Sequence, residues 1–142
     1  MDLYMGQITV LLGHNGAGKT TTINMITGFL PPTSGTTTVQ GHDLATNTSE
    51  AREFIGLCPQ HGVLFPKLTC YEHLKFFLKL KGKYSAEGDE EIYKDLDLIG
   101  LGGEKLSQSS TISGGQQRKL SLACAFVGGT EVMLVLLLEG RR

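Results

Sequence analysis

The apolar positions change period several times along the chain, and each change marks an element. Ile8-Thr9-Val10-Leu11-Leu12 is a short apolar run that predicts a buried strand. Residues 21–28 predict a helix with Ile23, Ile26 and Phe29 on its apolar side and Gly28 as its C-cap. Turn chemistry follows in Pro31-Pro32-Thr33-Ser34-Gly35, residues 36–39 alternate like a strand, and Gly41-His42-Asp43 reads as a turn. A short helix is expected over 47–53, then a buried strand over 54–58 that Pro59 ends. Thr69 followed by Glu72 is a capping box, which predicts a helix over 70–81 with Tyr71, Leu74, Phe77 and Leu78 on one face and Gly82 at its end. A more acidic helix follows over 86–99, with Ile92, Leu96 and Ile99 on one side and Gly100 as C-cap. The polar Ser/Gly loop 107–115 leads to a helix over 116–127. The apolar run 132–138 then predicts a strand buried on both faces of a parallel sheet. Strands alternating with helices predict an α/β fold with a largely parallel sheet, and the two central amphipathic helices predict a small helical subdomain.

Between the first strand and the first helix stands Gly13-His14-Asn15-Gly16-Ala17-Gly18-Lys19-Thr20, a full match to the phosphate-loop pattern G-x-x-x-x-G-K-[ST]. Glycines let the backbone curl so that N–H groups converge on phosphate oxygens, and the following helix adds the positive end of its dipole. Lys19 would set a point charge on the β- and γ-phosphates, and the Thr20 hydroxyl, with Thr21 beside it, would face the phosphates and Mg²⁺. A P-loop NTPase that holds ATP and Mg²⁺ is the expectation.

Composition narrows the field. The 142 residues are enough for one domain with its own core, and a formal net charge of -1 gives no broad attraction for nucleic acid. Cys58, Cys70 and Cys124 lack metal-type spacing and read as reduced thiols of a cytosolic domain. The longest apolar run, 132–138, is far short of the roughly 20 residues of a membrane-spanning helix, and no signal peptide opens the chain.

Ser113-Gly114-Gly115-Gln116 opens the helix expected near Gln116. On its own this tetrapeptide reads as a flexible hinge. Its place after a phosphate loop, a Gln-containing loop and a helical insert, and before an apolar strand ending in a carboxylate, gives it weight as a second anion site. This order of parts resembles the nucleotide-binding domain of ATP-binding cassette (ABC) transporters, and within them the A subfamily of lipid exporters. The resemblance spans essentially the whole chain. It rests on Gly6-Gln7-Ile8-Thr9 leading into residues 13–20, on Pro31-Pro32-Thr33-Ser34-Gly35, on Cys58-Pro59-Gln60-His61 and on Arg118-Lys119-Leu120-Ser121.

The resemblance implies roles residue by residue. Residues 13–20 match the Walker A loop. Gln60 matches the glutamine that touches Mg²⁺ and the attacking water and senses the membrane domain. Residues 112–116 match the signature loop, with Ile112 in place of the usual leucine, and such a loop closes over ATP held by a second domain paired head to tail. Residues 132–138 match the Walker B strand, and Glu139 matches the catalytic glutamate that polarises water. The implied organisation is a partial nucleotide-binding domain over 1–142, with a helical insert over about 69–112 and the signature helix and Walker B strand over 113–139. Implied partners are a second nucleotide-binding domain, transmembrane domains and, indirectly, a lipid. Such a domain works on the cytoplasmic side of a membrane, and the chain by itself is expected to be cytosolic.

The match also breaks. Leu138 stands where the family carries an aspartate, so no carboxylate is offered there to Mg²⁺ or its waters, which predicts weak metal positioning and slow turnover more than lost ATP binding. The adenine-stacking aromatic, the D-loop, the switch histidine and the last strands have no counterpart, so the chain reads as a truncated product or fragment of a larger transporter gene. A non-hydrolytic, nucleotide-dependent interaction module, or a non-functional fragment, is therefore the rival reading. A small kinase or GTPase is disfavoured by the signature and Gln60 loops. A soluble cassette ATPase of DNA repair or translation is disfavoured by the neutral charge. Asp97-Leu98-Ile99-Gly100 imitates a GTPase element but falls at a helix end, and no N-K-x-D motif accompanies it. The blander expectations are a backbone-bonded or solvated His14, surface positions for His42, His61 and His73, and a solvated helix start for 87–91. For Phe76, Phe77 and Tyr71 a core or interface role is expected, and Pro59-Gln60 alone would read as an ordinary turn.

Overall fold

The computed structural model describes residues 2–59, 64–85 and 87–136. Helix α1 covers Lys19–Ile26, strands β1 and β2 cover Thr38–Val39 and His42–Asp43, helix α2 covers Thr48–Glu53 and strand β3 covers Ile55–Cys58. Helices α3, α4 and α5 follow at Cys70–Leu80, Gly88–Leu98 and Gly114–Phe126, with a 3₁₀ turn at Gly102–Glu104, and strand β4 covers Val132–Val135. The α/β alternation and the helical insert are thus as expected from the periodicity.

β3 and β4 run parallel, Ile55 opposite Val132 and Cys58 opposite Val135, and the chain between them passes through α3, α4 and α5. β1 and β2 form a hairpin whose two-residue turn, Gln40-Gly41, has φ of 50° and 80°. Two left-handed residues are what a type I′ turn needs. The turn therefore falls one residue earlier than Gly41-His42-Asp43 suggests, and His42 and Asp43 belong to the strand.

Residues 8–12 differ from expectation. Neither sheet takes them in among the described residues, and Ile8 and Leu12 are 95% and 84% exposed. An apolar run supplies a strand's side chains but not its hydrogen bonds, which need a neighbouring backbone. The apolar side of α1 is also shallow: Phe29 is 68% exposed and no residue of the helix itself is fully buried. β4 is half-buried along its length instead of enclosed on both faces, with Val132 and Leu134 packing on Val39, Leu44, Ala51 and Ile55.

The larger core lies between α3, α4 and α5, where Leu74, Ile92, Leu96, Leu101 and Leu120 are fully enclosed. α3 starts as its capping box demands, with Glu72 N–H donating to Thr69 Oγ1 at 3.1 Å and Thr69 N–H to Glu72 Oε2 at 2.8 Å. The acidic start of α4 is more than a solvated face. Asp89 accepts from Tyr84 Oη at 2.6 Å and from Lys75 Nζ at 3.2 Å, which ties α4 to α3. Tyr71 and Phe77 pack against the core, as a structural reading of that stripe requires. Asp97, of the GTPase-like tetrapeptide, pairs with Lys105 at 3.0 Å. All three cysteines are free and buried, and burial pushes the Cys124 thiol up to about 12.

α5 rests on β3 through Gly56. A Cβ there would lie 2.1 Å from the Ala125 carbonyl oxygen and 2.7 Å from Thr130 Cγ2, so helix and strand meet backbone to backbone. We predict that Gly56→Ala destabilises the domain by about 2 kcal/mol or more, since backbone must move to admit the methyl. Gly103→Ala, where an added Cβ meets nothing within 4 Å, is the matched control and should be near neutral in urea unfolding.

His73 corrects another expectation, since it is fully buried and not a surface residue. Its Nε2 accepts from Phe65 N–H at 2.9 Å, so Nδ1 carries the proton and donates to Thr69 O at 2.8 Å. Ser109 Oγ donates to the Phe65 carbonyl at 2.8 Å, and the Phe65 ring stacks on His73 with centroids 6.0 Å apart. Burial lowers the His73 pKa below its usual 6.5. The sign follows from the folded state preferring the neutral ring. Its stability contribution is complete above about pH 6.5 and is lost as pH falls through the lowered folded value. Thermal midpoints measured from pH 7.5 to 5 should therefore decline on the acid side of 6.5, and His73→Gln should flatten that decline.

Candidate nucleotide site

The phosphate-loop pattern becomes a curled backbone ahead of α1. Gly16 and Gly18 have φ of 86° and 87°, a region that side-chain-bearing residues rarely occupy. A Cβ on Gly13 would stand 2.9 Å from Ala17 Cβ, so Gly13 is required by space where the other two are required by conformation. Ala17 N–H closes the curl onto His14 O at 3.1 Å. His14 turns Nδ1 to within 2.8 Å of Asn15 O, matching the backbone-bonded role expected of it. Lys19 Nζ folds over the loop and donates to the carbonyl oxygens of Gly13 and of His14, the latter at 3.0 Å. The ammonium is thus already over the curl.

Gly18 is the N-cap of α1 and supplies no side-chain acceptor. The first bond within the helix is Thr22 N–H to Gly18 O at 2.9 Å, so the N–H groups of Thr20 and Thr21 ahead of it have no acceptor inside the helix. Thr20 and Thr21 are both exposed, their hydroxyls on the first turn beside those donors. A cation, uncapped N–H groups and a helix N-terminus in one place suit an anion carrying several oxygens. Mg²⁺ fits this donor set only in part: Thr20 offers one neutral oxygen, so the phosphates and water would have to provide most of the coordination.

The second group stands on α5. Helix formation begins at Gly114, two residues earlier than the apolar pattern suggests, because Ser113 and Gln116 make a reciprocal capping box. Ser113 N–H donates to Gln116 Oε1 at 2.9 Å, and Gln116 N–H to Ser113 Oγ at 3.3 Å. Gln116 Nε2 also donates to Glu104 Oε1 at 3.0 Å, so both ends of this amide are engaged within the chain. Ile112 is buried in the helical core, which accounts for an apolar residue at the head of the loop. Gly114 and Gly115 differ from the phosphate-loop glycines. Neither has a positive φ, and a Cβ on either would meet nothing within 4 Å. Nothing inside the described chain demands glycine at these two positions.

Gln60, Leu138 and Glu139 lie outside the described residues, as does His61. Their flanks are fixed by a residue whose role is not apparent in the sequence. Arg118 Nη1 donates to Pro59 O and Nη2 to Leu136 O, each at 2.7 Å, so one guanidinium joins α5 to the chain at the ends of β3 and β4. The available signal is a charged residue on the side of α5 that turns toward the sheet, which needs the helix rotation to be known beforehand. An open cleft of about 310 Å³ lies between Leu64 and Pro66 on one side and Gln117 and Arg118 on the other. No group of three or more His, Cys, Asp or Glu side chains could hold a metal among the described residues, and no helix among them is long and apolar enough to cross a membrane.

The profile of the ABC transporter family matches residues 1–135. Over 135 residues, 95% of the chain, the sequence is 47% identical to phospholipid-transporting ATPase ABCA3 of Homo sapiens. Over the same length it is 48% identical to the retinal-specific phospholipid-transporting ATPase ABCA4 of Homo sapiens. It spans only 8% and 6% of those two proteins. Among solved structures, the ATP-binding subunit of an ABC transporter superposes with a TM-score of 0.74 at 30% identity, covering 87% of this chain and 52% of that one. The chain belongs to the ABC transporter family, as an ATP-binding domain related to those of the A-subfamily phospholipid transporters.

Proposed function

We propose that the chain binds Mg-ATP through Gly13, His14, Asn15, Gly16, Ala17, Gly18, Lys19, Thr20 and Thr21. It offers Ser113, Gly114, Gly115 and Gln116 to the nucleotide of a second, head-to-tail domain. The observation that carries the first half is the left-handed curl at Gly16 and Gly18 beside the uncapped start of α1. The second half is supported by Gly114 and Gly115, both exposed, where an added Cβ would meet nothing of the chain itself within 4 Å. In a complete transporter this binding would be coupled, through transmembrane domains, to lipid movement across the bilayer.

Bound Mg²⁺ would neutralise charge on the β- and γ-phosphates, with Thr20 and Gln60 as the residues assigned to it by resemblance. Glu139 is assigned to the attacking water on the same ground. The contribution of the described residues is binding and orientation: Lys19 holds the phosphates, and the first turn of α1 donates N–H groups to them. Leu138 favours a domain that binds ATP well and turns it over slowly, which keeps a nucleotide-dependent interaction module as the rival reading.

ATP with Mg²⁺ should raise the thermal midpoint of the full chain, because a ligand held only by the folded state stabilises it by about 2.7 kcal/mol at a hundredfold excess over Kd. Lys19→Ala should abolish the rise. An equal rise in Lys19→Ala would contradict binding at this loop. A rise that does not depend on Mg²⁺ would favour the interaction module over the ATPase.

A further inference from the structure

Helix α1 carries the phosphate loop at its N-terminus, but its apolar residues are only half-buried and none of the helix is fully enclosed. Its attachment is at the other end. There the chain closes a Schellman motif, with Phe29 N–H on Asn24 O at 2.8 Å and Gly28 N–H on Met25 O at 3.1 Å. Gly28 has φ of 71° and is wedged against α2: a Cβ would lie 3.1 Å from Thr48 Cγ2 and 3.3 Å from Leu44 Cδ2. Two successive carbonyls at this end, Thr27 O and Gly28 O, accept from Arg52 Nε at 3.0 Å and Arg52 Nη2 at 2.9 Å. The same guanidinium lies over the Phe29 ring, 5.0 Å from its centroid.

We infer that Arg52 is a positioning residue for the nucleotide site, holding the far end of α1 so that Lys19 and the first-turn N–H groups stay aimed at the phosphates. This rests on the reading of residues 13–21 as that site. Arg52 stands next to Ala51, which is fully buried, and α2 runs through Phe54 directly into β3, so the anchor is fixed to the sheet. A planar guanidinium spans two successive carbonyls and stacks on a ring in one geometry, which a lysine cannot do. Its charge also complements the negative end of the α1 dipole. The lever is short and stiff. Eight helical residues extend about 12 Å, so a tilt of about 10° at the anchored end displaces the loop end by about 2 Å.

The test is titration of the full chain with a fluorescent ATP analogue, comparing wild type, Arg52→Met, Arg52→Lys, Lys19→Ala and Ile92→Val, beside amide hydrogen exchange along α1 and α5. Arg52→Met keeps the apolar stem. It should weaken binding about tenfold, less than the two lost hydrogen bonds would cost directly, because Arg52 acts through α1 and touches no phosphate. It should also raise exchange in α1 while leaving α5 unchanged. Arg52→Lys should recover part of the affinity. Ile92→Val, which loosens only the helical core, should bind as wild type. Wild-type affinity in Arg52→Met would overturn the inference, and so would weakened binding accompanied by equal loss of protection in α5, which is general destabilisation. Binding by Lys19→Ala equal to wild type, or none by wild type, would instead remove the nucleotide site, and the role of Arg52 with it.

Discussion

The packing of α5 on β3 is the constraint on which the arrangement depends. At Gly56 the strand has no side chain, and the Ala125 carbonyl of the helix occupies the space a methyl would need. So close an approach brings Arg118 within reach of both strand ends, where it bonds Pro59 O and Leu136 O. It also directs the opposite side of α5 into the core with α3 and α4, through Leu120, Ala123 and Cys124. One helix thereby belongs to the sheet and to the helical subdomain at once. The glycine-rich loop that starts it inherits its position from both.

The two glycine-rich segments show how differently glycine can be used. In the phosphate loop the residues are dictated from within, by φ at Gly16 and Gly18 and by the Ala17 methyl at Gly13. At Gly114 and Gly115 the chain itself would tolerate side chains. The first segment is a curl whose shape its own backbone requires. The second is an exposed surface without side chains, and nothing within the described chain accounts for its glycines. The neighbouring polar side chains do not share this division: Lys19 lies over its own loop, and Gln116 is held within the chain by Ser113 and Glu104.

Signals in the sequence are legible where the cause is itself local. The Thr69 and Glu72 capping box, the left-handed glycines at 28, 82 and 100, and the apolar stripes of α3 and α4 all appear where their spacing puts them. Departures from expectation have causes distant in the chain. Residues 8–12 have a strand's composition, but pairing is decided by a partner backbone. His73 shares the buried face of α3 with Cys70, Leu74 and Leu78, but what satisfies its ring lies elsewhere: Nε2 accepts from Phe65, eight residues away, whose carbonyl is held by Ser109. Arg52 and Arg118 each serve carbonyls at least 18 positions away in sequence, which no periodicity reveals. Of the candidate site, the phosphate loop is legible because its chemistry is written in consecutive residues, while the parts that brace it are not.

The most direct measurement is a ¹H–¹⁵N correlation spectrum of the full chain titrated with ATP and Mg²⁺. Binding at the phosphate loop predicts that the largest shifts fall on the amides of residues 13–21, where N–H groups would turn from solvent to phosphate oxygens. Smaller shifts should extend along α1 to Thr27 and Gly28. Shifts centred on any other segment, or none at saturating nucleotide, would contradict the assignment of this loop as the ATP site.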